Sequence, residues 1–484
     1  MSRTVQFALI ALLVVSLITG CSSPSPAVAT RTITPTAKGF VPGDPTSTPL
    51  GEEITDPDFL AGKAAHAAGD YVTAIRYMKA FVADNPDSAP AHWYIGNSYF
   101  FNDCEASFQE IEKALEINPN YAMAWADRGA LMSCLGDEEQ SVKDLLKALS
   151  IDPSIAKAHH NLGVHYMNSS EYQQALQHFT IALDIDSERV ATWVSLSEAQ
   201  LHLGYFQECT QSALQALRLN REYWPAFKSD GYCNSALGDF GKAIHDYEVY
   251  LANVQEQSVA EDWYTLAGFY YLSSNYQDAV WAFTRAIDLD PNYVLAYIDR
   301  GSSYLMLSQY ENAIKDETTA IEMTPIPMAY NIRGLAYYGL GQFDQAVADY
   351  QTAISLDPRF ARPHYHLFTA YFEHDRFLEA IEEASQAVRL DPSYKRDQRF
   401  LDLQARAHYA LGNYEAAVQY MTSALSLGEF TLGYYYRGIF YQALDQDSLA
   451  LQDLIQFLEY MEGRDTTYQH EINDANARIK ELTQ

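Results

Sequence analysis

The sequence predicts an all-α chain built as a solenoid of short helical hairpins. Three observations carry this: prolines recur at a fixed interval, small residues stack in columns at the same interval, and glycines and aromatics punctuate the space between. Prolines stand at 86, 119 and 153, then at 291, 325, 358 and 392, spaced 33 or 34 residues apart within each group, and Ser187 and Arg221 fill the same phase between the groups. Self-similarity at such a period is the signature of stacked repeats. A chain of 484 residues is too long for one ordinary globular core, and repetition lets that length fold without one.

Each column has a physical reason. The first runs from Gly62 and Gly96 through Gly334 to Gly438, with Ser197, Ala267, Phe368 and Ala405 as its members other than glycine. The second runs from Ala74 to Ala450 and admits Ser107, Ser141 and Cys209. The third is alanine in nine of twelve repeats, from Ala114 to Ala424, broken by Phe81, Tyr250 and Phe457. Two antiparallel helices approach closely only where side chains are small, so the first column lies on helix A and the second on helix B. The third lets helix B accept helix A of the next repeat. Turn formers such as Gly69, Gly136, Gly204, Gly238, Gly341 and Gly412 precede aromatics such as Tyr71, Phe206, Phe240, Phe343 and Tyr414, which fill the bend. The column prolines follow helix B, where a missing N–H ends a helix at little cost. Repeats over 190–259 lack the proline, an insertion of two residues falls near Gln255, and Phe368 is expected to open the packing where it breaks the glycine column. Residues 468–482 keep apolar spacing without the columns and are expected to cap the array.

These columns resemble the tetratricopeptide pattern: an aromatic, Leu-Gly, Tyr, Ala, an aromatic and Pro over about 34 residues. Trp125 with Gly129, Tyr330 with Arg333, Gly334 and Tyr337, and Ala346 with Tyr350 and Pro358 carry it. The resemblance implies a right-handed superhelical solenoid of about twelve repeats over residues 55–462, with a capping helix in 463–484. It also implies that helix A lines an inner groove that holds peptide segments of partner proteins. Carried over by column, the groove residues are Trp93, Asn97 and Phe100 early; Lys157, His160, Lys228, Tyr232, Tyr264 and Tyr271 in the middle; and Arg362, Tyr365, Phe372, Arg399, Arg406, Tyr409 and Tyr435 late. The Lys/Asn clamp that some members use for C-terminal carboxylates is not evident.

The N-terminus reads as an export signal. Arg3 precedes an apolar run from Phe7 to Ile18, too short to span a bilayer comfortably. Ile18-Thr19-Gly20-Cys21 resembles a bacterial lipobox, with Ile18 in place of the commoner leucine. The resemblance implies cleavage after residue 20 and acylation of the Cys21 thiol; an uncleaved anchor or an ordinary secretory cut are the alternatives. Residues 21–54, rich in Pro, Ser and Thr, cannot bury a core and read as a disordered tether. At roughly 3 Å per residue it would reach about 90 Å.

The chain carries a net charge of −31. Residues 1–50 hold three basic residues and one acid, so the body is more acidic still. Such a surface repels nucleic acid and anionic lipid headgroups. Within it, Arg128, Arg300, Arg333 and Arg437 each precede a column glycine, and Asp144, Asp316, Asp349 and Asp453 follow sixteen residues later. This co-occurrence predicts an ion pair between helix A and helix B of one repeat, worth roughly 0–1 kcal/mol if half-exposed. Asp230 with Asp246 is the exception.

No catalytic constellation is present in the sequence, and no cofactor or small-molecule substrate is expected. His159, His160 and His165 lack the Glu-x-x-His spacing of a metal site, and His159 sits in the aromatic column. His364 and His366 read the same way, and Gly339-Leu340-Gly341 lacks the strand that a dinucleotide loop needs. With Cys21 assigned to lipid, export permits two disulfides, Cys104–Cys134 and Cys209–Cys233, or four buried thiols. The expected function is a lipid-anchored scaffold, facing outside the cytoplasm from the cell membrane or outer membrane, that gathers protein partners and is not an enzyme. The alternative is a pilotin-like assembly factor for a secretion or pilus apparatus.

Overall fold

The structure is a computed structural model that describes residues 54–100, 102–462 and 468–484. The expected signal peptide, Cys21 and nearly all of the tether lie outside the described residues. Twenty-five α-helices occupy the described residues. Twelve hairpins follow one another: α1 (Pro57–Ala67) with α2 (Tyr71–Asp84), α3 (Ala89–Tyr99) with α4 (Cys104–Ile117), α5 (Ala122–Cys134) with α6 (Glu138–Ile151), α7 (Ala156–Asn168) with α8 (Tyr172–Ile185), α9 (Val190–His202) with α10 (Phe206–Leu219), α11 (Trp224–Ala236) with α12 (Phe240–Val254), α13 (Ala260–Leu272) with α14 (Tyr276–Leu289), α15 (Val294–Met306) with α16 (Tyr310–Met323), α17 (Pro327–Gly339) with α18 (Phe343–Leu356), α19 (Ala361–Glu373) with α20 (Phe377–Leu390), α21 (Gln398–Ala410) with α22 (Tyr414–Leu425), and α23 (Thr431–Gln442) with α24 (Asp447–Met461). A last helix, α25 (Gln469–Leu482), packs on α24. The array divides into two compact units, one ending at Ser258 with Gly268–Ser273 added, the other formed by Val259–Ala267 and Ser274–Gln484.

The turns within hairpins follow from the residues. Gly69, Gly136, Gly204, Gly238, Gly341 and Gly412 all take positive φ, between 71° and 85°. In three of them the next residue, Asp70, Asp137 or Asp239, caps the N-terminus of helix B by accepting a backbone N–H. Ser170, Ser274, Ser308, Asp375 and Asp445 take the same left-handed turn without glycine. The turns between hairpins explain why the proline is dispensable. An Asn or Asp ends helix B, and its side chain accepts the backbone N–H two residues on; Asn118, Asp152, Asp290, Asp357 and Asp391 do so before proline. Asp186 and Asn220 make the same bond before Ser187 and Arg221, so an Asx turn holds the geometry where proline is missing. The insertion near Gln255 is absorbed by a short 3₁₀ turn, Gln255–Gln257, that follows a lengthened α12.

The small columns do what their size requires. Every residue of the second column is fully buried. A Cβ added at Gly96, Gly129 or Gly334 would meet Ile111, Leu145 or Tyr350 at 2.7, 2.8 and 2.6 Å. The position four residues after the second column is therefore the filler: Met78, Ile111, Leu145, Phe179, Tyr247, Phe283, Tyr350, Met421 and Leu454 occupy it, all buried. Phe368 does not open the packing. Its ring is buried edge-on to Phe400 at 4.9 Å, and the filler opposite it is Ala384, so large and small have changed places. Ser197 faces Ala213, small against small, and both are buried.

The four expected ion pairs form. Arg128, Arg300, Arg333 and Arg437 each grip their aspartate with two bonds of 2.7–2.9 Å. They are less exposed than expected, with arginine side chains at 14–17% and aspartates at 1–9%. Each arginine also reaches back to helix B of the preceding repeat, at Glu112, Thr284, Thr318 or Thr422. The pair thus stitches three helices rather than two. Asp230 and Asp246 form no such stitch; Asn234 donates to Asp246 at 3.1 Å, and burial, with Asp246 beside it, pushes the Asp230 carboxyl up to about 7.

Gly334→Ala pits helix propensity, which favours alanine by about 1 kcal/mol, against a Cβ 2.6 Å from the Tyr350 ring. Overpacking of roughly 1–3 kcal/mol prevails. The expected outcome is faster amide exchange in α17, α18 and their neighbours alone, since solenoid stability is a sum of repeat and interface terms. A uniform loss of protection across all twelve hairpins would contradict it.

Candidate functional site

The groove positions carried over from the family lie six and three residues before the small column, and one and four after it. The structure separates them. The column at minus three mostly holds repeats together. Trp93 Nε1 donates to Asp127 at 2.6 Å, the Tyr264 hydroxyl to Asp299 at 2.5 Å, and the Tyr435 hydroxyl to Asp474 on the terminal helix at 2.9 Å. Asp127 and Asp299 both lie two residues before the column glycine of the next repeat, so one geometric rule generates both bonds. Burial raises the pKa of Tyr264, and pushes the Asp299 carboxyl up to about 6.

In the first unit this glue becomes a buried network. Asn97 donates to Asp127 at 2.8 Å and meets His66 at 2.7 Å, while the Lys157 ammonium pairs with Asp127. Lys157 and Asp127 are 2% and 0% exposed. Trp93, Asn97, Phe100, Lys157, Tyr264 and Tyr435 are thus corrections to the expected groove: all are buried, and a side chain already desolvated against its own chain presents no face to a partner. His160, also buried, meets Thr192 at 3.0 Å. Lys228, Tyr232 and Tyr271 remain partly accessible. The Lys228 ammonium lies 5.3 Å from the Tyr250 ring, and nearby Glu198 reaches solvent although the walls around it push its carboxyl up.

The second unit is different. Its late helix A residues keep the groove columns open: Arg362, Tyr365, Phe372, Arg406 and Tyr409 are half-buried and Arg399 is exposed. Arg406 lies between two rings, 5.1 Å from Phe372 and 4.8 Å from Tyr436, with Asp402 3.7 Å away. Tyr365 stacks on Tyr394 and Phe400 at 5.3 and 5.8 Å. Arg362 acts on His366 and Tyr394, and Arg399 on Tyr338 and Tyr365. Among the described residues neither arginine has a carboxylate within 4 Å. Burial and the charge of Arg362 push His366 down to about 3, leaving a neutral ring 5.5 Å from Tyr350. The positive charge here is guanidinium alone. Column reasoning missed Tyr338, His366 and Tyr436. Tyr338 was reachable, since it stands four after Gly334 as Phe372 does after Phe368; the other two lie at minus two, a position that only the fold shows facing the site.

The cysteines divide. Cys209 and Cys233 form a disulfide that ties α10 to α11. Cys104 and Cys134 are free thiols, the other of the two arrangements that the sequence left open; burial and the proximity of Cys104 raise the Cys134 pKa. The histidines have structural work. His92 and His159 bond the carbonyls of Pro86 and Pro153, six residues earlier, as Trp125 and Trp193 bond Pro119 and Ser187. His364 meets Glu383 at 2.6 Å. Among the described residues no three His, Cys, Asp or Glu side chains gather as metal ligands would.

Hairpins stacked through small columns, with an open strip of arginines and aromatics, define a helical-repeat interaction platform. Family models of the tetratricopeptide repeat match residues 158–189, 282–315 and 365–431, and one described as a TPR repeat matches 334–375. The chain is a tetratricopeptide repeat protein, a family whose members serve protein–protein interaction. Solved structures similar to it include yeast Tom70, 16% identical over 86% of this chain and 98% of that one, with a TM-score of 0.38. A tetratricopeptide repeat protein from Parabacteroides merdae is 20% identical over 49% and 93%, with a TM-score of 0.38. Pseudomonas aeruginosa pilF is 19% identical over 42% and 92%, also at 0.38.

Lys157→Met separates the structural reading of the early columns from the groove reading. It strands Asp127 in a dry site, where loss of one partner of a buried pair costs roughly 3–5 kcal/mol. Chemical denaturation should show that loss, and adding Asp127→Asn should restore part of it. A neutral single substitution would mean that the pair does not carry charge.

Proposed function

We propose that this chain is a scaffold that grips partner proteins through the late inner columns of its second unit, and that it works tethered to a membrane through lipid on Cys21. One observation carries the first part: in a chain of net charge −31, Arg362 and Arg399 stand with no carboxylate within 4 Å, beside accessible rings. Guanidinium next to aromatic surface is the composition of interface hot spots. An isolated positive strip in an acidic body favours a segment that carries carboxylates and apolar anchors, while the rest of the surface repels acidic bystanders. Arg406 is the positioned member, held by two rings; Arg362 and Arg399 are free to turn toward a ligand. The anchor rests on the sequence Ile18 to Cys21, and the Pro/Ser/Thr-rich stretch after it supplies the reach.

Selection from a displayed peptide library should enrich segments with Asp or Glu beside an aromatic residue. Arg362→Glu with Arg399→Glu should weaken those peptides about tenfold or more, since reversal replaces attraction by repulsion at two sites, and should leave helicity unchanged. Uncharged selected peptides, or binding that reversal and salt leave unaltered, would move the site elsewhere. For the anchor, Cys21→Ala should leave precursor unprocessed or shift the chain out of the membrane fraction. Unchanged partitioning with an intact N-terminus in both forms would point to a transmembrane segment instead.

A further inference from the structure

The filler position of helix B is apolar in eleven hairpins and acidic in one. Glu317, on α16, stands where the other repeats place Met, Ile, Leu, Phe, Tyr or Ala, and it is fully buried. Neither carboxyl oxygen has a hydrogen-bond partner. Gly301, on α15, admits it as the other column glycines admit their apolar fillers. No arginine is available to it. Arg300 on α15 is committed to Asp316 by two bonds, and Arg333 on α17 to Asp349 by two more. The remaining ionisable groups on the packed helices do not help. Asp299 on α15 repels it and is bonded by Tyr264. Tyr297 and Tyr304 on α15, and Tyr330 and Tyr337 on α17, lie beside the paired arginines. Lys315 on α16 itself is exposed.

We propose that the α15–α16 hairpin is a protonation-controlled joint in the array: Glu317 seals it while carrying a proton and loosens it when ionised. A carboxylate buried without counter-ion or donor is far costlier than the neutral acid. The hairpin therefore either keeps the proton or opens to hydrate the charge. Burial, with Asp299 and Asp316 adding to it, holds the Glu317 pKa well above its ordinary value, Arg333 only partly opposing. The sign follows from linkage. Below the unfolded value of about 4.3 both closed and open forms hold the proton, and the acid carries no penalty. As pH rises past that value the open form releases its proton first, so opening becomes easier with pH, by up to about tenfold per unit, until the closed form titrates as well. This adds to the binding role and does not depend on it.

The test is amide hydrogen exchange on the full chain from pH 5 to pH 7, expressed as protection factors so that intrinsic exchange is removed. Protection across residues 294–323 should fall at least tenfold relative to α20 in the same unit. Glu317→Gln should abolish that fall, and Glu317→Met, which copies the filler of the first and eleventh hairpins, should abolish it and raise protection at every pH. A flat profile in the natural chain overturns the proposal. So does a slope that survives in Glu317→Met, which would assign the titration to Asp299. Should Glu317→Gln fail to fold, the methionine variant alone decides between these outcomes.

Discussion

The close approach of helix A to helix B at the small column is the constraint on which the rest of this structure depends. Where the column residue is glycine, a side chain from helix B enters the space its Cβ would have taken, and where that residue is large the entering side chain shrinks to alanine. Phe368 with Ala384 shows that large and small can change sides across this contact, so glycine itself is not what the contact requires. Interiors are packed densely enough that one methylene is felt, so each hairpin fixes its own two helices locally. Stacking then needs only the third column, whose nine alanines are all fully buried. Because both contacts are between neighbours in sequence, errors and gains stay near where they arise.

Polar groups supply what volume alone does not, a defined relation between one repeat and the next. The arginine before the column glycine bonds an aspartate of its own helix B and a side chain of the preceding helix B. At Trp93 and Tyr264 the side chain at minus three bonds an acid at minus two in the following repeat. Neither contact is worth much as a bare attraction, because taking charges and carboxyls out of water offsets most of the gain. Their effect is on alternatives: a hairpin docked out of register strands a buried guanidinium or carboxylate, which costs far more than the correct pairing gains. The repeat of Asp230 and Asp246 is one of the eight that lack the arginine stitch. There the neighbouring Cys209–Cys233 disulfide ties α10 to α11 covalently.

The fold was legible in the sequence because its determinants are local and repeated. Twelve copies of one pattern average out the ambiguity of any single Gly or Pro, and the Arg–Asp offset of sixteen residues identified its own partner. The Asx turns that hold the junction where Ser187 and Arg221 stand in the proline phase were equally present, as Asp186 and Asn220, although proline is the more conspicuous signal. The site was far less legible. Column position names the helix face that a residue occupies, but whether that face is open depends on the residues of the next repeat. Trp93, Asn97 and Lys157 stand in groove columns and are closed by Asp127, thirty or more residues away in all three cases. Tyr264 is closed by Asp299, which by itself looks like one more surface acid. Cys104 and Cys134 share the spacing logic of a cross-repeat bridge without forming one. Glu317 passed unnoticed because the filler position, four after the second column, tolerates every apolar size and so leaves no signature to violate.

The same rule explains why accessible chemistry collects in the later repeats of the second unit. A residue at minus three closes its part of the face when the next repeat offers an acceptor at minus two. For Tyr365 that position holds Leu403 instead of aspartate, so no carboxylate is there to draw its hydroxyl inward. Tyr365 then stacks on Tyr394 and Phe400 rather than donating across the interface, and Arg406 settles between Phe372 and Tyr436. The arginines at minus six are left over by the same logic. In the early array the residue at minus six, Lys157, finds Asp127 at minus two of the preceding repeat and is buried with it; in the late array that position holds Ile332 or His366, and neither Arg362 nor Arg399 meets a carboxylate there. Arg406, which lies over two rings, keeps hydrogen-bonding capacity as well, because a cation–π contact uses the face of the guanidinium and leaves N–H donors at its edge. The lack of an acid at minus two therefore leaves this stretch of the array receptive where the early array is self-satisfied.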